Sequence, residues 1–104
     1  MLDSDKEQKL LHHKLNMETA PMPWKELLKH FAAGIVIVVD NDLDLIQVAA
    51  SVANDDKAAV KKWMLANQLM KVSDEQAQVW LEQDVLLWTV VVKPFILVQE
   101  KKSL

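Results

Sequence analysis

Histidine side chains are the first candidates for metal binding in this chain. There are three of them, His12, His13 and His30, and there is no cysteine. On a helix the adjacent imidazoles of His12 and His13 would point about 100° apart, so they could not easily share one ion. The i, i+4 histidine pair that binds zinc on a helix face is absent from the sequence. We therefore expect no metal site and no cofactor.

An aspartate cluster suggests a second kind of site. Asp40, Asp42 and Asp44 have the spacing of the first three ligands of an EF-hand calcium loop. The pattern then fails, because no glycine occupies the sixth position and Ser51 replaces the glutamate of the twelfth. The cluster instead predicts a turn followed by a helix cap.

Carboxylates near two prolines provide the strongest candidate pocket. Glu18 and Thr19 lie in the predicted loop that contains Pro21 and Pro23, and Glu26 follows on the next predicted helix. Two carboxylates can perform general acid–base chemistry if burial raises the pKa of one of them. Together with other loop and aromatic residues they form our tentative pocket or interface, which consists of Glu18, Thr19, Trp24, Glu26, Asp55 and Trp88. No residue is assigned a catalytic role.

Four tryptophans, Trp24, Trp63, Trp80 and Trp88, could stack on bases or line a ligand cage. The chain has no arginine and a net charge of -3, which argues against nucleic acid as a partner. Three of the four fall on predicted apolar helix faces, so core packing explains them better. One of them at a subunit contact is the alternative, since tryptophan is enriched there.

Composition limits the remaining classes. The chain has 104 residues, 51% apolar and 26% charged, which predicts one folded domain over residues 1–104. A single glycine excludes glycine-rich phosphate loops. The polar N-terminal segment has no apolar core of a signal peptide, so we expect a cytoplasmic protein.

The stretch Leu86–Gln99 is the most apolar part of the chain and would organise the fold. We predict one long strand, bent or bulged at Pro94, rather than a helix. A hairpin at Lys93-Pro94 is the alternative, although the pair lacks the glycine or asparagine of tight primed turns. A membrane span is rejected, because the run is shorter than ~20 residues and contains Lys93 and Pro94.

The remaining elements follow from caps and periodicity. A peripheral helix is predicted over 5–16, a linker over 16–23 and a helix from Pro23 to Gly34. Further predictions are strands at Ile35–Val39 and Leu69–Val72, the latter at a sheet edge, helices beginning after Asp44, Asp56 and Ser73, and a polar tail over 100–104. A strand over 43–48 is the alternative to the helix after Asp44.

These elements predict an α+β fold. We expect a small, mainly antiparallel or mixed sheet of about three to four strands covered by about four to five helices. The two most buried strands, Ile35–Val39 and Leu86–Val92, are expected to be central neighbours.

Several segments also resemble one family. They include Trp24-x-Glu26-Leu27, Leu43-Asp44-Leu45, Ser73-Asp74-Glu75-Gln76-Ala77 and Pro94-Phe95-Ile96-Leu97-Val98-Gln99, within a resemblance from Leu15 to Gln99. The chain is similar to a family of small, uncharacterised bacterial proteins catalogued as a domain of unknown function. The resemblance implies a stand-alone bacterial cytoplasmic protein, and it assigns no catalytic or binding residue.

The expected function is a protein–protein interaction, with self-association as a homodimer. A chain this small has few helices to cover both faces of Leu86–Gln99, so a second copy would be an economical cover. The alternative is a small-molecule binding or catalytic protein with a pocket near Glu18, Glu26 and Asp55. No nucleic acid and no membrane is expected as a partner.

Overall fold

The computed structural model describes residues 2–100, and side chains from Asp5 onwards. The helices are α1 (Leu2–Glu18), a 3₁₀ helix (Trp24–Leu27), α2 (Leu28–Ala32), α3 (Leu45–Ala53), α4 (Lys57–Leu65) and α5 (Asp74–Gln83). The strands are β1 (Ala20–Pro23), β2 (Val36–Val39), β3 (Leu69–Lys71), β4 (Leu86–Val92) and β5 (Phe95–Glu100). The α+β class is confirmed. Residues 101–104 of the predicted polar tail lie outside the described residues.

The five strands form one mixed sheet in the order β1-β4-β5-β2-β3. β2 and β5 are parallel, and the other neighbouring pairs are antiparallel. The sheet thus has more strands than the three to four predicted. The prediction that β2 and β4 are central neighbours was wrong, because β5 lies between them. β3 is an edge strand, as predicted.

Leu86–Gln99 forms two strands instead of one bent strand. β4 and β5 pair as a hairpin in which Val92 faces Phe95, and Lys93 and Pro94 make the turn. The single strand was predicted because Lys93-Pro94 lacks the glycine or asparagine that tight primed turns require. An X-Pro pair can turn the chain without either residue. The hairpin alternative was therefore correct.

The predicted linker over 16–23 contains the additional strand β1. Its residues Pro21 and Pro23 face Trp88 and Leu86 of β4. Two prolines argue against a central strand, but β1 lies at the edge of the sheet, where one side needs no N–H donors. The proline-rich composition therefore indicated an edge strand rather than a linker.

Both faces of the β4–β5 hairpin are covered by helices of the same chain. On the first face, Val90 and Leu97 are buried in a cluster with residues of α1 and α3. On the second face, Leu87 and Val98 are buried with Trp24 of the 3₁₀ helix and Trp80 of α5. A second copy of the chain is therefore not needed to cover Leu86–Gln99.

Local signals placed the starts of α3, α4 and α5 correctly, whereas α1 extends over Leu2–Glu18 instead of the predicted 5–16. The Asp44 carboxylate accepts hydrogen bonds from the backbone N–H groups of Ile46 and Gln47, which caps α3 and decides for helix over strand. Asp56 and Ser73 cap α4 and α5 in the same way. The helix expected from Pro23 to Gly34 is instead a 3₁₀ turn that continues into α2. Gly34, with φ of +76°, ends it, a conformation that favours glycine.

Candidate functional site

An open groove of about 920 Å³ lies on the first face of the sheet, beside α4. We call it the lysine-rimmed groove. Its apolar lining comes from the sheet, α3, α4 and the β4–β5 turn, and consists of Ile37, Val52, Val60, Met64, Leu65, Leu69, Met70, Pro94, Phe95 and Leu97. Its charged lining consists of Lys57, Lys61, Lys71, Lys93, Asp55 and Asp56.

The four lysines come from three different parts of the chain. Lys57 and Lys61 are four residues apart on α4, so they project from one side of that helix. Lys71 is the last residue of β3, and Lys93 lies in the β4–β5 turn. Only the folded sheet brings these ammonium groups to one groove.

The groove carries an excess of two positive charges, in a chain whose net charge is -3. All four lysines are exposed. Among the described side chains, the ion pair within 4.0 Å joins Lys14 to Glu18 on α1, far along the chain from these lysines. The ammonium groups of the groove are therefore available to an incoming anion.

The lysines gather towards one end of the groove. Lys71 pairs with Ile37, near the start of β2. β5 runs parallel to β2, so the start of β5, just after Lys93, lies at the same end of the sheet. The Lys71 ammonium lies near the chain entering β2, since a Cβ placed on Gly34 would be 3.9 Å from its Nζ. Lys71 and Lys93 thus lie at the same end of the sheet, with β2 and β5 between β3 and β4.

The direction of α4 completes this arrangement. α4 is joined to β3 by residues 66–68, and the Gln68 N–H donates to the Trp63 carbonyl as the chain turns back. The first residues of α4 therefore lie towards the end of β3 that carries Lys71. The last residues, Met64 and Leu65, lie towards the start of β3 at Leu69. Asp55 and Asp56, which directly precede α4, lie at the same end as the lysines, so this end is cationic by an excess of two charges, and the other end is apolar.

Several apolar side chains of the groove remain in contact with solvent. Leu65 is 75% exposed, Met64 is 57% exposed and Phe95 is 37% exposed. Methionine adapts its shape to different ligands because its side chain is unbranched and polarisable. Clustered exposure of this kind marks a binding surface more often than scattered surface leucines do.

A second cleft of about 530 Å³ lies near the start of α3. Three of its polar side chains, Thr19, Asp44 and Gln99, already make hydrogen bonds within the chain. The Thr19 hydroxyl donates to the Leu15 carbonyl, and the Gln99 Nε2 donates to the carbonyls of Asp40 and Leu43. Because these groups serve the fold, the lysine-rimmed groove is the better candidate site.

The structure separates the residues of the tentative pocket. Glu26 lies in the 3₁₀ helix on the second face of the sheet, whereas Asp55 lies in the groove on the first face. Trp24 is fully buried, and its indole Nε1 donates to the Ala77 carbonyl at 3.0 Å. Glu18 is exposed on α1 and is the partner of Lys14. Glu26 and Asp55 therefore do not converge in one pocket.

Two members of the tentative set do meet, since Thr19 and Trp88 both line the second cleft. The lysines of the groove were missed, because single lysines in a sequence are typical of solvated surface. One local signal was present: Lys57 and Lys61 precede the exposed pair Met64-Leu65 on the same helix.

Two further observations concern metals and membranes. In the part of the chain from residue 2 to 100, no group of three or more His, Asp or Glu side chains is arranged to hold a metal ion. None of the helices described there combines the length and the hydropathy that a membrane span requires.

Comparison with known proteins gives two matches. A family model described as "Protein of unknown function (DUF2288)" matches residues 10–100, which confirms the resemblance seen in the sequence. The solution NMR structure of PA1075 from Pseudomonas aeruginosa is 41% identical, with a TM-score of 0.79. The similarity covers 90% of this chain and 87% of that one. No curated protein matches the chain.

Proposed function

We propose that this chain, which belongs to the DUF2288 family of proteins of unknown function, is a binding protein for a small amphiphilic anion, a molecule with one negatively charged group and an apolar body. One observation carries the proposal: an apolar floor shares the groove of about 920 Å³ with four lysines that form no ion pair among the described side chains. Its size is within the range of about 300–1,000 Å³ typical of small-molecule sites.

The two parts of the groove have different energetic roles. Burial of apolar ligand surface against the accessible side chains Ile37, Val60 and Met64 would provide most of the affinity, at about 25 cal/mol per Å². An exposed ion pair with a lysine adds only about 0.2–1 kcal/mol. The lysines therefore select the sign of the ligand charge, while the floor holds the ligand.

Binding is favoured over catalysis by the chemistry of the lining. The groove presents lysine and aspartate side chains but no hydroxyl, imidazole or thiol side chain. Lysine and aspartate can act as nucleophiles or proton carriers, but enzymes usually activate them in buried surroundings, and those of the groove are all exposed. We therefore propose uptake of a ligand without its conversion.

Self-association is the second candidate, and one observation supports it. The exposed apolar side chains Met64, Leu65 and Phe95 all border the groove, so a second copy could bury them. In a two-fold dimer, however, the same lysine-rich surface would meet itself, and like charges would oppose the contact. A ligand and a second copy would compete for this surface.

We further propose that the protein works in the bacterial cytoplasm. The absence of cysteine fits a reducing compartment, in which disulfides are not used. The similar structure from Pseudomonas aeruginosa supports a bacterial source. Fractionation of a bacterium that produces the protein, with immunodetection in the cytoplasmic and periplasmic fractions, tests this location.

The binding proposal is tested with two fluorescent probes of similar shape, anionic 8-anilinonaphthalene-1-sulfonate and neutral N-phenyl-1-naphthylamine. We expect saturable binding of the anionic probe, with NMR shift changes at Val60, Leu69 and Leu97. The neutral probe should bind several-fold more weakly. Shift changes confined to other surfaces, or equal affinity for both probes, would refute the proposal.

A pair of matched variants tests the lysines. The double variant Lys61→Gln/Lys71→Gln should weaken binding of the anionic probe by about fivefold, from the energies of exposed ion pairs. The double variant Lys25→Gln/Lys62→Gln is the control, because it changes the net charge by the same amount and neither lysine lines the groove. An equal effect of both variants would show that net charge, rather than the groove, controls binding.

Self-association is tested by analytical ultracentrifugation of the wild-type protein and Leu65→Lys. A dimer at micromolar concentration that the substitution dissociates would support the second candidate. A monomer in both samples would exclude it at this surface.

A further inference from the structure

We infer that the ligand is a single-chain alkyl carboxylate that lies along α4. Its carboxylate lies at the cationic end of the groove, beside Lys71, and its hydrocarbon tail runs towards Met64, Leu65 and Leu69. This inference rests on the proposed function and specifies its ligand class and orientation.

The cationic and apolar ends of the groove determine this orientation. Lys71 and Lys93 lie where β3 and β4 end, and the α4 lysines lie above the same end of the sheet. Met64 and Leu65 lie at the opposite end, where α4 finishes. A ligand with one charge at one end of a hydrocarbon chain matches this division, whereas a ligand with charges at both ends does not.

Lys71 is the lysine best placed to meet the headgroup. It faces Ile37 across the β2–β3 pair, on the same strand face as the apolar floor. Its ammonium group lies beside Gly34, just before β2, and no described carboxylate is within ion-pair distance. A carboxylate there would contact the floor of the groove as well as its rim.

The lining also explains why the body of the ligand is a hydrocarbon. Apart from the lysines and aspartates, every side chain that lines the groove is apolar. A sugar, a nucleobase or a peptide would lose hydrogen bonds to water and find no neutral polar side chain in return. An alkyl chain has no such groups to satisfy.

The shape of the groove favours a soluble amphiphile over a membrane surface. Ile37 and Val60, which are partly exposed, line the recess between the protruding Leu65 and the nearly covered Leu69 and Leu97. A flat membrane could reach the protruding Leu65, but it could not fill this recess. A single alkyl chain can enter it.

Titration calorimetry with monomeric hexanoate, octanoate, decanoate and 1-decanol tests the ligand class. Each methylene that enters the groove should tighten binding about three- to fourfold. 1-Decanol should bind more weakly than decanoate. Lys71→Gln should weaken decanoate several-fold without changing 1-decanol, and Lys62→Gln should change neither.

Paramagnetic broadening in NMR spectra tests the orientation. Decanoate with a nitroxide at its terminal carbon should broaden the amides of Met64 and Leu65 more than that of Phe95. A nitroxide next to the carboxylate should give the reverse pattern. The opposite result for both probes would overturn the orientation.

The ligand class and the proposed function are refuted by different results. If affinity does not depend on chain length while the anionic naphthalene probe still binds the groove, the alkyl carboxylate is wrong and the proposed function stands. If neither binds, both are wrong. Binding to vesicles of anionic phospholipid, to an acidic peptide or to a second copy, without binding of monomeric decanoate, would also overturn the inference.

Discussion

Trp24 and Ala77 are joined across the second face of the sheet, where the indole Nε1 of Trp24 donates a 3.0 Å hydrogen bond to the Ala77 carbonyl. The Trp24 ring also packs edge-on against Trp80, with ring centroids 5.1 Å apart. This contact fixes the 3₁₀ helix against α5. Because Trp24 is fully buried and its indole N–H is already hydrogen-bonded, it belongs to the core rather than to a ligand-binding site.

Replacement of Trp24 by Phe should destabilise the protein by about 2–3 kcal/mol, because it removes buried volume and leaves the Ala77 carbonyl without this donor. Urea unfolding followed by circular dichroism measures the change. The matched variant Trp63→Phe, at a partly buried position on the first face, should cost less. Equal costs would contradict the role assigned to Trp24.

Removal of the α3 cap by Asp44→Ala should cost about 1 kcal/mol, because two backbone N–H groups lose their acceptor. Asp42→Ala is the control, since its side chain makes no such bond among the described residues, and it should change stability by less than about 0.5 kcal/mol. Thermal unfolding of both variants tests the difference. A similar loss in both would point to charge rather than capping.

Gln99 connects β5 to the loop before α3 through two hydrogen bonds, of 2.9 and 2.8 Å, to the carbonyls of Asp40 and Leu43. Gln99→Glu keeps the shape but removes both donors, so we expect a loss of about 2 kcal/mol. Amide hydrogen exchange should also become faster in the loop over 40–44. Gln47→Glu, at an exposed position, is the control and should leave both quantities nearly unchanged.

The floor and the rim of the groove should respond differently to truncation. Leu69→Ala should cost about 2–4 kcal/mol because Leu69 is only 5% exposed, whereas Leu65→Ala should cost less than about 0.5 kcal/mol. Leu65→Ala should nevertheless weaken decanoate binding. Chemical denaturation and calorimetry on both variants separate these effects, and an unchanged affinity in Leu65→Ala would place the tail elsewhere.

The prolines of β1 should protect the sheet edge. Pro21→Val combined with Pro23→Val restores N–H donors on this edge strand, and such edges pair with other chains. We expect more association than in the wild-type protein at the same concentration, measured by sedimentation velocity. Ala20→Val, in the same strand, should not increase it.

Interactions within a few residues were predictable from the sequence. Asp44, Asp56 and Ser73 each cap a helix because their side chains reach backbone N–H groups only two or three residues away. The apolar content of Leu86–Gln99 likewise identified the centre of the sheet. Such signals require no knowledge of distant parts of the chain.

The strand count and order depended on interactions between distant segments. The pairing of β1 with β4 determined whether the segment over 16–23 was a linker or an edge strand. The pairing of β4 with β5 likewise decided between one bent strand and a hairpin at Lys93-Pro94. Local composition permitted both outcomes in each case.

The candidate site shows the same division most clearly. The sequence by itself determined the lysines, the apolar segments and the start of α4. Only the tertiary structure placed Lys71 and Lys93 at one end of the groove and Met64 and Leu65 at the other. The physical reason is that strand pairing and the return of α4 over β3 create this proximity, and neither is encoded in any single segment.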